Sequence, residues 1–222
     1  MNQRVRRHFD AVASDYDNWK GKAHHYYGFV TRRVGEAIPR GQSVAEVGCG
    51  TGDILASLGA SDGLGVDLSS EMVAIAAAKH PSLRFQVHDI TVRPLPDRFD
   101  YVVAVDLVEH TLDLDSCFKN LAGSLSESGR LVVVTANPRW SWVLHTAERL
   151  RLKMPEGDHV WRSREALLHA AESSGLREIS FTRDLLVPKN LPLLRRLDTA
   201  ESLIALRQRM GLVQRAVFER RS

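Results

Sequence analysis

"EVGCGTGDILASLGASDGLGVDLSS", from Glu46 to Ser70, reads as a strand end, a glycine-rich turn, a helix of about two turns and a second strand closed by Asp67. Gly48, Gly50 and Gly52 permit a tight turn and close approach of backbone to a ligand. A strand followed by such a turn and a helix presents backbone N–H groups to a nucleotide-like molecule. Working outward, Ser43–Val47 is the first strand and Leu64–Val66 the second. "SSEMVAIAAAKHP" offers a serine N-cap and a proline stop, which predicts a helix over 70–79. "RFQVHD" (84–89) is a third strand. "FDYVVAVD" (99–106) is a nearly continuous apolar run, as a strand buried on both faces of a parallel sheet requires. "LDLDSCFKNLAGSLSESG" (112–129) is a helix with acids in its first turn and glycine after its end, and "RLVVVTAN" (130–137) is the fifth strand.

Strands alternating with helices imply right-handed crossovers and a doubly wound α/β sheet. Residues 3–17 and 22–38 carry helical patterns, the second with Val30, Val34, Ala37 and Ile38 on one face. After Asn137 the rhythm breaks, and "PRWSWVLHTAERLRLKMPEGDHVW" (138–161) is too long for a simple connection. A helix at 163–174 and a strand at 177–183 restore it, and "LVQRAVFER" (212–220) is the last strand. The expected organisation is one domain over 1–222. Residues 1–40 form an N-terminal helical lid, 41–136 the cofactor-binding core, and 137–162 and 184–211 insertions that cap the substrate.

Composition sets the bounds. Of 222 residues 44% are hydrophobic and 26% charged, which suffices for a buried core. A formal net charge of +3 is too weak to imply nucleic acid. Cys49 and Cys117 have neither metal-ligand spacing nor the density of a disulfide framework, and no metal site is expected. "MNQRVRRHFDAVASDYDNW" lacks the apolar centre of a secretory signal, and no apolar run reaches membrane-spanning length. A cytoplasmic monomer or homodimer without stable membrane insertion is expected.

The charge of the loop narrows its ligand. A dinucleotide fingerprint counted from Gly48 wants a third small residue at 53, where Asp53 stands, and Glu46 precedes the turn. Two carboxylates around the loop disfavour a pyrophosphate and suit a ligand with positive charge. S-adenosylmethionine carries a sulfonium and an ammonium and no phosphate. Asp67, at the end of the second strand, stands where an acid holds both ribose hydroxyls. Asp53 has a plainer reading as an acid complementing the helix dipole.

These residues resemble the class I S-adenosylmethionine-dependent methyltransferases, in particular their small-molecule branch. "VAEVGCGTG" (44–52) is similar to the first family motif, which implies Glu46, Gly48, Cys49, Gly50 and Gly52 around the cofactor. "GVDLS" (65–69) resembles the second, with Asp67 on the ribose and Leu68 beside the adenine. "HDI" (88–90) resembles the segment in which Asp89 faces the adenine amino group and Ile90 packs on the ring; Asp89 reads equally as a turn residue at a strand end. "FDYVVAVDLVEH" (99–110) looks like the fourth strand and its exit, bringing Asp106 and His110 to the pocket. "FDAVASDYD" (9–17) is similar to the lead-in whose tyrosine, here Tyr16, helps close over the cofactor. The resemblance covers 9–136. It implies a Rossmann-like seven-stranded sheet of order 3-2-1-4-5-7-6 with the last strand antiparallel, and S-adenosylhomocysteine as product.

The acceptor is less legible. "ANPRW" (136–140) departs from the amino-methyltransferase motif at Arg139 and Trp140, which favours a hydroxyl of a small metabolite, aromatic or lipid-like, with carbon or nitrogen methylation left open. Two candidate general bases follow. His159 in "PEGDHVW" (155–161) has Asp158 and Trp161 beside it, and His110 leaves the fourth strand on the cofactor side. Either is also readable as a histidine that merely packs or hydrogen-bonds. Trp140, Trp142 and Trp161 read as core aromatics or as an aromatic substrate wall. "LPLLRRLDTAESLIALRQRMG" (191–211) is basic and amphipathic, either a lid helix or a surface for lipid-like substrates. Cys49 reads as a small packed residue rather than a nucleophile. Two other classes stay open: a Rossmann NAD(P) oxidoreductase, and a cofactor-binding module without activity.

Overall fold

The computed structural model describes residues 2–155, 157, 159–186 and 204–221. Seven strands form one sheet in the order β3-β2-β1-β4-β5-β7-β6. They are β1 Ser43–Val47, β2 Asp62–Asp67, β3 Arg84–Val87, β4 Phe99–Val105, β5 Leu125–Ala136, β6 Leu176–Asp184 and β7 Val213–Arg220. β1 to β5 are parallel, and β7 runs antiparallel between β5 and β6. The topology is the one the family resemblance implies.

The alternation of side chains along each strand builds two cores. Val102, Leu131, Val133, Ala216 and Phe218 face one side, under α6 Leu114–Gly123 and α8 Arg164–Ser173. Val103, Val105, Val132, Val134 and Val217 face the other, under α3 His24–Gly35 and α4 Asp53–Leu58. β4 and β5 are buried on both faces, which is why their sequences are continuous apolar runs rather than alternating ones. α5 Ser70–Lys79 starts at a Ser69 hydroxyl that accepts from the Met72 N–H at 3.1 Å, a side-chain cap in the expected place.

Three boundaries depart from the sequence expectation. The N-terminal helix is broken: α1 Asn2–Val12 passes through a 3₁₀ turn, Ala13–Asp15, into α2 Tyr16–Lys22. The tighter turn buries Ala13 and swings Tyr16 over the glycine loop. β5 begins at Leu125 rather than Arg130, because Leu125 already pairs with Phe99, ahead of a register shift between Phe99 and Tyr101. The long insertion is not wholly irregular, since α7 Ser141–Arg149 lies within it. A short helix, α9 Ile204–Met210, precedes β7. Most of the 184–211 cap, including the greater part of the amphipathic stretch, lies outside the described residues, as does Asp158. Among the described residues no helix is long and apolar enough to cross a membrane.

Candidate active site

The glycine loop is folded back onto β2 by its own backbone. Gly48 N–H and Cys49 N–H both donate to the Val66 carbonyl, at 2.8 and 3.0 Å. Gly50 takes φ = 51° and its N–H donates to Asp67 Oδ2 at 2.9 Å, while Ser69 N–H donates to Oδ1 at 2.9 Å. A Cβ on Gly50 would stand 3.1 Å from the Tyr16 ring, so the loop has room for no side chain there. Asp67 therefore ties the loop to the second strand. Burial pushes its carboxyl up, and the N–H groups of Ser69 and Gly50 work against that shift.

A cavity opens over this loop at the carboxyl ends of the strands, the usual ligand crevice of such sheets. It brings together Tyr16, Glu46, Gly48, Cys49, Gly50, Asp67, Leu68, Asp89, Ile90, Asp106 and His110. Gly52 is the exception among the residues expected there. Its φ of 81° caps α4, and an added Cβ would meet the Phe85 ring at 2.8 Å, so its smallness serves helix packing and not the cavity.

Asp53 stands elsewhere than its place beside the glycine turn suggests. Asp53 does not line the cavity; its carboxylate is held by Lys20 at 3.0 Å, Lys79 at 2.8 Å and His80 at 3.2 Å. Burial opposes its ionisation, but the Lys79 and Lys20 ammonium groups outweigh burial and hold its carboxyl down at about 2. The acids that do face the cavity are Glu46, Asp67, Asp89 and Asp106. Four carboxyl groups against the single ammonium of Lys20 make a poor seat for a pyrophosphate and a better one for a cation, so these residues fit S-adenosylmethionine. Glu46 is 2% exposed and accepts from the Leu55 N–H at 3.0 Å. Burial pushes its carboxyl up to about 8, with Leu55 N–H and Lys20 opposing. Burial, reinforced by Asp67 and Glu46, drives the Cys49 thiol well above its ordinary range, so it packs and does not react.

Asp89 fits its plainer reading as well. Its carboxylate accepts from Thr91 N–H at 3.0 Å, Thr91 Oγ1 at 2.6 Å and Asn2 Nδ2 at 2.7 Å, closing a turn and anchoring α1 over the cavity. Asp106 has φ = 48°, an uncommon conformation for a non-glycine residue, and accepts from the Tyr26 hydroxyl at 3.2 Å. Lys20 and Tyr27, which carried no family signal, line the same cavity.

A second cavity adjoins the first. Tyr27, Asp106 and Met154 line both. Its walls are Trp19, His24, His25 and Tyr26 from the N-terminal helices, Leu144 and Ala147 from α7, then Leu152, His159, Trp161 and Leu212. His159 stacks at 4.3 Å on Trp161 and meets His110 edge-on at 5.5 Å, so the two candidate bases stand at the junction from opposite sides. His110 also packs against Phe9 of α1 at 5.1 Å. Of the three insertion tryptophans only Trp161 belongs to the wall. Trp140 Nε1 donates to the Met210 carbonyl at 2.6 Å, and Trp142 is 72% exposed.

A family model described as a methyltransferase domain matches residues 19–180. A ubiquinone biosynthesis O-methyltransferase from Coxiella burnetii is 29% identical over 156 residues, 64% of this chain and 67% of that protein. Among solved structures, an S-adenosylmethionine-dependent methyltransferase from Thermotoga maritima superposes with a TM-score of 0.75 at 15% identity, covering 98% of this chain and 100% of that one. Magnesium protoporphyrin IX methyltransferase from Synechocystis, solved with bound S-adenosylhomocysteine, gives a TM-score of 0.68 at 15% identity, covering 99% of both chains.

Proposed function

This chain belongs to the class I S-adenosylmethionine-dependent methyltransferases, and on that premise we propose that it methylates a hydroxyl group of a small, largely apolar acceptor. The observation that carries the proposal is the pair of cavities meeting at Tyr27, Asp106 and Met154. One is lined with carboxyl groups over the glycine loop, and the other is walled mainly by aromatic and aliphatic side chains, with Lys22, Glu109, Lys153 and three histidines among them. The Coxiella relative, named for O-methylation, supports oxygen as the accepting atom. Membership in this family leaves the oxidoreductase reading without support.

S-adenosylmethionine supplies an electrophilic methyl carbon, so the protein's part is alignment, exclusion of water and removal of one proton. In this reading Asp67 accepts from the ribose hydroxyls, Glu46 faces the cationic amino-acid end, and Leu68 and Ile90 flank the adenine. Asp89 holds the adenine-side turn, Asp106 shapes the junction, and Tyr16 covers the loop. Residues 1–40 act as a lid, with α1 pinned by Asn2 to Asp89 and by Asp10, which accepts from the Ser69 hydroxyl at 2.6 Å. Residues 137–162 cap the acceptor cavity. His159 takes the acceptor's proton, its ring held by Trp161; His110 is the alternative base.

Thermal shift and turnover test the reading. S-adenosylhomocysteine at about 100 times its Kd should stabilise the protein by about 2.7 kcal/mol, roughly 5–10 °C, while NAD and NADP leave Tm unchanged. Transfer of labelled methyl to alkylphenols should follow. Transfer to alkylamines alone would move the accepting atom to nitrogen, and cofactor binding without transfer to any acceptor would favour a module without activity.

A further inference from the structure

Two of the residues lining the second cavity, Glu109 and Trp161, each carry a buried polar atom whose hydrogen-bonding capacity the described residues leave unused. Glu109 sits in the 3₁₀ turn Val108–His110 after β4 and is 1% exposed. Its Oε1 accepts from the Thr135 hydroxyl and from the Ala136 N–H at 3.2 Å, which fixes the carboxylate against β5. Its Oε2 is buried without a hydrogen-bond partner. Arg162 is near enough for its charge to be favoured by Glu109, yet its N–H groups donate to the carbonyls of Val108, at 3.1 Å, and Thr111. Trp161 Nε1 is a buried N–H with no partner either. Both residues line the one cavity whose other walls include Leu144, Ala147, Leu152 and Leu212.

Native folds rarely leave buried donors and acceptors unpaired, and each such case calls for a cause. Here an acceptor and a donor line one cavity whose walls are mainly apolar, and a hydroxyl carries the complementary donor and acceptor. We infer that Glu109 and Trp161 are the polar anchor of the methyl acceptor: before transfer Glu109 Oε2 accepts from its hydroxyl and Trp161 Nε1 donates to its oxygen, and the hydroxyl turns from Glu109 to His159 as that proton is removed. The pair selects acceptors with one hydroxyl at an apolar end and rejects isosteres lacking it, because rejection leaves both protein groups unpaired. The assignment rests on the second cavity being the acceptor site.

Calorimetry of the full chain saturated with S-adenosylhomocysteine tests it, using 4-butylphenol, 4-butylanisole and butylbenzene. The phenol offers donor and acceptor, the ether only an acceptor, and the hydrocarbon neither. The wild type should prefer phenol over ether by about 10- to 100-fold, as a hydrogen bond to a charged group implies. Glu109→Gln, which can keep the contacts to Thr135 and Ala136, should erase that preference; Trp161→Phe should erase the smaller preference for ether over hydrocarbon. S-adenosylhomocysteine affinity should stay unchanged in both. If Glu109→Gln fails to fold, Glu109→Asp, which withdraws the carboxylate by one methylene, should reduce the same preference. Phenol and ether binding the wild type equally, or a preference that survives Glu109→Gln, would overturn the anchor while leaving the acceptor cavity standing; in the latter case water alone satisfies Oε2. Binding of none of the three probes would overturn the acceptor-site reading and the anchor with it.

Discussion

The two cavities are built in opposite ways. The cavity over the glycine loop takes nearly half of its wall from strand exits at 46–50, 67–68, 89–90 and 105–107, and Glu46, Asp67 and Asp89 there accept from nearby backbone N–H groups. The adjoining cavity meets the strand exits only at Asp106, Glu109 and Ala136, takes the rest of its wall from α2, α3, α7, residues after α7 and Leu212, and leaves buried polar atoms unpaired. A sheet edge repeats one geometry at each strand exit, so short local sequences suffice to build a binding surface there. A wall made of segments more than 100 residues apart has no such repeat, and its chemistry is free to vary with the substrate.

If that contrast is right, the largest effect belongs to the loop. Gly50→Val puts a β-branched side chain at positive φ and into the Tyr16 ring, and should remove measurable S-adenosylhomocysteine binding while circular dichroism stays native. Retained binding would mean that the cofactor does not lie against this loop. The next effect belongs to the acceptor side alone. His159→Ala should lower turnover about 10²–10⁴-fold with cofactor affinity unchanged, and activity should recover at high pH. Normal turnover in His159→Ala beside a crippled His110→Ala would transfer the role to His110.

Asp67→Ala comes third. It should weaken the cofactor by about 2–4 kcal/mol, through loss of a charged acceptor and of the tie to Gly50. Unchanged affinity by calorimetry would take Asp67 out of the site. The smallest effect is a proton. With its carboxyl at about 8, Glu46 is mostly neutral at pH 7, and a cation bound beside it pulls that value down. Cofactor binding at pH 7 should therefore release up to about one proton, measured in buffers of different ionisation enthalpy, and Glu46→Gln should abolish the release. The stability effect has the same origin. A folded-state value raised from 4.5 makes the Glu46 contribution complete below pH 4.5 and lost as pH rises through 8, so Glu46→Gln should flatten that part of the Tm–pH curve.

How far the site could be read from sequence follows the same division. Glycines at fixed spacing, a strand-ending acid and apolar runs are local signals, and they picked out ten of the residues that line the cavity over the glycine loop, together with the sheet that holds them. Gly52 and Asp53 misled because their neighbours along the chain look like loop residues, whereas in space one packs on Phe85 and the other meets Lys20, Lys79 and His80. Glu109 was passed over because nothing in "DLVEH" distinguishes a buried carboxylate held by Thr135 from an exposed one.

By itself the sequence determined the alternation of strands and helices and, through motifs that resemble a known family, the family and its cofactor, because each rests on signals encoded within a few residues. Only the tertiary structure decided which acids face the cavity, which tryptophan joins the acceptor wall, and that His110 and His159 stand ring to ring. Those outcomes depend on burial and on contacts between residues distant along the chain, and neither quantity exists until the sheet has brought its edges together.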